Sequence, residues 1–137
     1  MILKQIMQTN LVSVSPATKV TEVAKKMRDK NVGCVLITEN GMGLRGIISD
    51  RDIVCFLADG KDPSKTAIEK LMKSAVITAT MSTDVFEAGK IMASKNIRRL
   101  PVMDGDMVVG LVSTADLASF LEEELDNFMK LESAYQH

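Results

Sequence analysis

The chain has 137 residues, 46% of them apolar and only 4% aromatic, and its 17 basic side chains against 18 acidic ones leave a net charge of -1. That length buries a core without help from disulfides or metals, and the near-neutral balance excludes the broad basic surface of a nucleic-acid binder. With no Trp and ten Met, the core must be aliphatic.

Repetition organises everything that follows. Shifted by 65 positions, Met7 to Val32 lies on Met72 to Ile97, and Met7, Thr18, Val20, Glu22, Lys25, Met27, Lys30 and Asn31 match their partners identically. After Asn40 the offset drops to 64, because the first copy has one extra residue in its turn "ENGMG". A unit of about 60 residues present twice is too long and too few for a solenoid and fits two halves of a pseudo-symmetric domain.

In chain order, "MILKQIM" is too short and interrupted for a signal peptide. The first predicted strand is Leu11 to Val14. A helix follows, with Val20, Val23, Ala24 and Met27 on one apolar stripe and Thr18 as N-cap or near-cap. "CVLIT" and "LRGIIS" form a hairpin around "ENGMG", and a second helix opens with "DRDIVCFLA". The polar stretch Asp59 to Ser74 connects the halves and predicts a short helical turn near Ile68 to Met72. The second copy repeats the order. It has a strand at Val76 to Ala79, a helix with Val85, Ala88, Gly89 and Met92 inward and Thr83 near its cap, and a hairpin "LPVM"/"MVVGLVS" around "DGD". The last helix is "TADLASFLEEELDNF". The predicted fold is therefore α+β, β-α-β-β-α written twice. Residues 1–60 are the first repeat, 61–71 a linker, 72–121 the second repeat and 122–137 a C-terminal helical extension.

Each last strand runs into the same turn, "GIISDRD" at Gly46 and "GLVSTAD" at Gly110. Two readings fit. Ser with a carboxylate three residues on is a capping box, Asp standing for the usual Glu, and acid in a first helical turn suits the dipole. The same geometry offers unpaired N–H groups and positive potential to a phosphate, and a carboxylate able to accept from both hydroxyls of a ribose. Gly46 and Gly110 leave room against the strand. "NIRRLPV" sets Arg98 and Arg99 where the first copy has Gly33 and Cys34. The arginines are either a solvated edge or a phosphate-binding pair, since guanidinium is the preferred phosphate donor.

These paired turns, the stretch "KNIRRLPVMDGDMVVG" and the duplicated β-α-β-β-α order resemble a tandem pair of CBS domains, named after cystathionine β-synthase. The likeness covers the chain from about Met7 to Phe120. It implies two repeats packed sheet to sheet about a pseudo-twofold axis, with two clefts. The first cleft would use Ser49, Arg51 and Asp52 with Ala75, Ile77, Arg98 and Arg99. The second would use Ser113, Thr114 and Asp116 with Asn10, Val12, Gly33 and Cys34. The aspartates would hold ribose hydroxyls and the first-strand residues would flank an adenine. The implied function is a stand-alone regulatory sensor of adenosine-type ligands (AMP, ADP, ATP or S-adenosylmethionine) with no required cofactor, signalling by a change of shape or of dimer packing. With three arginines against Gly33 and Cys34, the Asp52 cleft would favour phosphates and the Asp116 cleft a less charged ligand or none.

The extension carries Leu117, Leu121, Leu125, Phe128, Leu131 and Tyr135 at helical spacing among Glu122, Glu123, Glu124 and Asp126. A stripe of this kind covers its own protein, a twin subunit or a separate effector protein. The resemblance also implies a homodimer. The competing reading is a dimerising interaction module whose turns are caps only.

No catalytic constellation is legible. The one His is the last residue, and Asp50 and Asp52 at i and i+2 do not face each other on a helix, so the chain reads as a non-enzyme. Cys34 and Cys55 lie in apolar runs and read as reduced core residues, with no metal-ligand spacing. No segment reaches the roughly 18 apolar residues of a membrane span. The expectation is a soluble, cytoplasmic protein without nucleic-acid or membrane partners.

Overall fold

A computed structural model describes residues 1–41 and 43–135. The elements in order are a 3-10 turn at Leu3–Gln5, β1 (Ser13–Val14), α1 (Val20–Lys30), β2 (Cys34–Glu39), β3 (Gly43–Ser49), α2 (Asp50–Ala58), a second 3-10 turn at Ile68–Lys70, β4 (Ala79–Thr80), α3 (Val85–Lys95), β5 (Arg99–Asp104), β6 (Met107–Ser113) and α4 (Thr114–Tyr135). The doubled β-α-β-β-α order is the one the repeat predicts. β1 and β4 are two residues long, shorter than the apolar runs around them.

The backbone divides into two compact units. The Asp52 unit contains Asn10–Ile77 and Asp104–Val109. In it β1 runs parallel to β2 (Ser13↔Leu36), β2 runs antiparallel to β3 with Cys34 opposite Ser49, and Gly43 pairs with Met107. Asn40 and Gly41 turn the hairpin at φ 52° and 78°, the left-handed pair that a tight hairpin needs. Its core joins Val20, Val23 and Met27 of α1, Val35, Ile37 and Ile48 of the strands, Ile53 and Phe56 of α2, and Ile68. The Asp116 unit contains Met1–Thr9, Thr78–Met103 and the chain from Gly110 onward. There β4 is parallel to β5 (Ala79↔Val102), β5 neighbours β6, and Leu3, Val85, Ala88, Met92, Leu100, Val102, Val112, Leu117 and Phe120 are buried. Phe86 and Phe120 meet edge to face at 6.3 Å.

Each unit is completed by the leader of the other repeat. Leu3 N–H donates to the Thr83 carbonyl (2.9 Å), Lys4 N–H to Met81 (3.1 Å), and Val85 N–H to Met1 (2.9 Å). At the positions 65 residues on or back, Ile68 N–H donates to Thr18 (2.7 Å), Glu69 N–H to Pro16 (3.1 Å), and Val20 N–H to Thr66 (3.0 Å). Leu3 and Ile68, the matched apolar residues, are both fully buried. Segment 1–9 therefore folds with the second repeat's body and segment 66–73 with the first's.

Several identities between the copies now have causes. Asn31 and Asn96 end α1 and α3 in the left-handed conformation, φ 54° and 53°, a position Asn tolerates better than most side chains. Met7 and Met72 cover glycines. A Cβ on Gly110 would stand 2.3 Å from Met7 Sδ, and one on Gly46 would stand 2.6 Å from Met72 Sδ. The space at each glycine is thus filled by a methionine from the exchanged leader.

One local expectation is resolved and one is corrected. Thr18 and Thr83 are near-caps, each one residue before the N-cap itself. Lys19 is the N-cap of α1 with no side-chain bond, and Asp84 caps α3 by accepting from Phe86 N–H (3.0 Å) and Glu87 N–H (3.2 Å). Thr18 instead bonds Ser15 through its hydroxyl, and Thr83 accepts from Thr80 N–H. Cys34 is buried as expected, but Cys55 is exposed, and neither forms a disulfide. α2 presents Ile53 and Phe56 to the core and turns Val54, Cys55 and Leu57 outward, so an apolar run there does not mean burial on all sides.

Candidate functional site

Both Ser-x-x-Asp turns are capping boxes. Ser49 leaves β3 with extended backbone, its Oγ accepts from Asp52 N–H at 3.2 Å, and its own N–H donates to Asp52 Oδ2 at 2.9 Å. In the second copy Ser113 Oγ accepts from Asp116 N–H at 3.1 Å and Ser113 N–H donates to Asp116 Oδ2 at 2.8 Å. Each bond satisfies a donor that helix geometry would otherwise strand. The strand-to-helix passage thus holds each carboxylate half-buried and in a fixed orientation.

The phosphate reading of these first turns is narrowed. Asp50 N–H is engaged by the Gly33 carbonyl at 2.9 Å and Thr114 N–H by the Arg98 carbonyl at 3.0 Å. Arg51 N–H is taken by the Asp50 carboxylate at 2.8 Å. The backbone donors expected to cradle an anion at α2 are already in use.

The candidate residues divide by unit. The Asp52 unit holds Ser49, Arg51 and Asp52, together with Asn10, Val12, Gly33, Cys34, Ala75 and Ile77. Cys34 lies opposite Ser49 across the hairpin. Val12 accepts from Leu36 N–H, and its side chain packs on the core. Ala75 and Ile77 follow Lys73, which exchanges both backbone bonds with Ile47 at 3.1 Å. The Asp116 unit holds Ser113, Thr114 and Asp116 with Arg98 and Arg99. Arg98 is exposed and Arg99, the first residue of β5, is half-buried.

The two carboxylates differ in one neighbour that the sequence did not disclose. Gln8 pairs with Leu111 as Lys73 pairs with Ile47, and 8 and 73 are equivalent positions of the repeat. The Gln8 side-chain amide donates to Asp116 Oδ1 at 3.1 Å and Oδ2 at 3.2 Å. Among the described residues, Asp52 accepts only from Ser49 N–H, and Lys73 makes no ion pair. The repeat alignment marks 8 against 73, but nothing in it says that a residue so early in the chain faces a turn more than a hundred positions away.

Comparison with known proteins identifies the class. The CBS domain family model matches twice, over residues 3–59 and 68–123, and the chain belongs to that family. Among its relatives, the CBS domain-containing protein YhcV of Bacillus subtilis is 34% identical over 116 residues, covering 84% of this chain and 81% of that one. Hypoxic response protein 1 of Mycobacterium tuberculosis is 30% identical over 121 residues, covering 88% and 85%. The crystal structure of the CBS domain pair of protein MJ0100, in complex with 5'-methylthioadenosine and S-adenosyl-L-methionine, matches with a TM-score of 0.82 and 28% identity over 90% of this chain and 98% of that one. The fold is that of a CBS-domain pair. No helix among the described residues is long and apolar enough to cross a membrane, and no group of three His, Cys, Asp or Glu among them is placed to hold a metal ion.

Proposed function

We propose that this chain is a regulatory module that binds adenosine-type ligands at its Ser49–Asp52 and Ser113–Asp116 turns. The observation that carries the reading is the held carboxylate. Asp52 spends one oxygen on the Ser49 N–H and keeps acceptor capacity at a fixed place, the requirement for gripping the two hydroxyls of a ribose. The ligands bound by the MJ0100 pair, 5'-methylthioadenosine and S-adenosyl-L-methionine, both carry that diol, as do AMP, ADP and ATP. Arg51, Arg98, Arg99 and Lys73 supply the cations that a phosphorylated ligand needs. Ala75, Ile77, Asn10 and Val12, all in the Asp52 unit, serve as walls for a base, together with Gly33 and Cys34.

The output is differential affinity for two arrangements of the module or of its dimer. α4 is suited to carry it, because Leu121, Leu125, Phe128, Met129, Leu131 and Tyr135 are all exposed. The same stripe favours the second reading, a dimerising module with no small ligand, in which the turns serve as caps alone.

Thermal unfolding with AMP, ADP, ATP, adenosine and S-adenosylmethionine separates the two. A ligand at 100 times its dissociation constant adds about 2.7 kcal/mol, and the sensor reading expects that shift to vanish in Asp52→Ala, Asp116→Ala or their double variant. No shift from any of the five leaves the interaction module standing.

A further inference from the structure

We propose that the leader residue at positions 8 and 73 sets the ligand preference of each turn, Gln8 by occupying the Asp116 carboxylate and Lys73 by leaving Asp52 open beside a cation. This rests on the adenosine-ligand reading above. Gln8 reaches both oxygens of Asp116, the same two acceptors that a pair of vicinal hydroxyls would take. A ribose entering there must first displace the amide, and it gains no charge in exchange. Lys73 occupies the matched backbone position, held by the matched pair of bonds to Ile47. It is exposed and carries three donors and a full positive charge where Gln8 carries a neutral amide. The Asp52 turn thus accepts a diol without displacement, and the leader paired to its strand carries an ammonium group suited to phosphate. The Asp116 turn is shut by its own chain and, once opened, has no equivalent cation on its leader.

The test is isothermal titration with AMP and adenosine as probes, on the full chain and in two backgrounds. In Asp52→Ala, which leaves the Asp116 turn as the remaining site, adding Gln8→Ala should tighten adenosine binding by about tenfold, the order expected for freeing a carboxylate from a charge-assisted bond. In Asp116→Ala, adding Gln8→Ala should change neither ligand. Lys73→Gln in Asp116→Ala should weaken AMP by about tenfold relative to adenosine. Gln8 is exposed and pairs with Leu111 through backbone atoms, so Gln8→Ala keeps the leader in place, and an unchanged melting curve verifies it. Equal AMP and adenosine affinities before and after these changes, in chains that do bind, overturn the proposal and leave the ligand reading intact. No binding of either probe by the wild type and every variant overturns both.

Discussion

Ile68 N–H meets the Thr18 carbonyl at 2.7 Å, and Leu3 N–H meets the Thr83 carbonyl at 2.9 Å. The two units repeat each other in this way through 3-10 turn, leader, glycine seat and capping box. They part at positions 8 and 73, where Gln8 reaches the Asp116 carboxylate and Lys73 stands at the matched backbone position. The lesson is that the shared elements hold the backbone in place, while positions 8 and 73 differ in chemistry on the same backbone pairing. Several residues that the backbone geometry requires are paired across the copies, as with Met7 and Met72 or Asn31 and Asn96.

The largest effects should come from the buried leader residues. Leu3→Ala and Ile68→Ala each remove a fully buried side chain, and such truncations cost about 2–5 kcal/mol. Native-state hydrogen exchange should show Leu3→Ala loosening α3 and β5 first, and Ile68→Ala loosening α1 and β2. If Leu3→Ala loosened the first repeat instead, the exchange of leaders would be wrong.

The glycines sharpen the comparison further. The three atoms nearest a Cβ on Gly110 all belong to the Met7 side chain, with its Cβ the farthest at 3.1 Å, but one on Gly46 also stands 2.9 Å from the Lys73 carbonyl oxygen. Overpacking of this kind costs about 1–3 kcal/mol. In urea titrations Gly110→Ala should become nearly neutral in a Met7→Ala background, whereas Gly46→Ala should keep most of its cost beside Met72→Ala, because the carbonyl remains. Equal rescue of both would show that the backbone contact does not matter.

Helix entry gives a smaller asymmetry. Asp84 caps α3 with two accepted bonds while Lys19 caps α1 with none. Asp84→Ala should therefore lose about 1 kcal/mol and Lys19→Asp should gain a few tenths or more, both read from denaturation midpoints.

The smallest effect belongs to the connecting segment. Asp62 accepts from Ser64 Oγ and Ser64 N–H, and these bonds lower its carboxyl pKa below the ordinary 3.8. A carboxylate lowered on folding contributes stability above its unfolded pKa and loses it as pH falls through the folded value. Asp62→Asn should remove that slight contribution at neutral pH, and its melting curve should converge with the wild type as pH falls below about 4.

Much of this was legible in the sequence. The offset of 65, the apolar stripes of α1 and α3, the hairpin turns and the Ser-x-x-Asp boxes all depend on residues close in the chain, where spacing is a physical constraint. Thr18 and Thr83 were legible as caps or near-caps and no finer, because their chemistry suits either place, while tertiary bonds from the leaders fix where each helix begins. Cys55 was misread because the apolar run around it is longer than the buried face of α2. The exchange of leaders was illegible for a deeper reason. Two copies of one pattern are equally compatible with self-pairing and with trading, and only the three-dimensional path of the chain between them decides. Gln8 was lost with it, since its role depends on that path.

The glycine seats have a consequence for the history of such a chain. A half-length protein holding one repeat would carry a methionine with no glycine of its own to cover, and a glycine left bare. Two such molecules would reach full burial by each lending its first residues to the other. Joining two copies end to end would turn that loan between molecules into a bond within one, so that the pair can no longer dilute apart and each half becomes free to diverge, as positions 8 and 73 do.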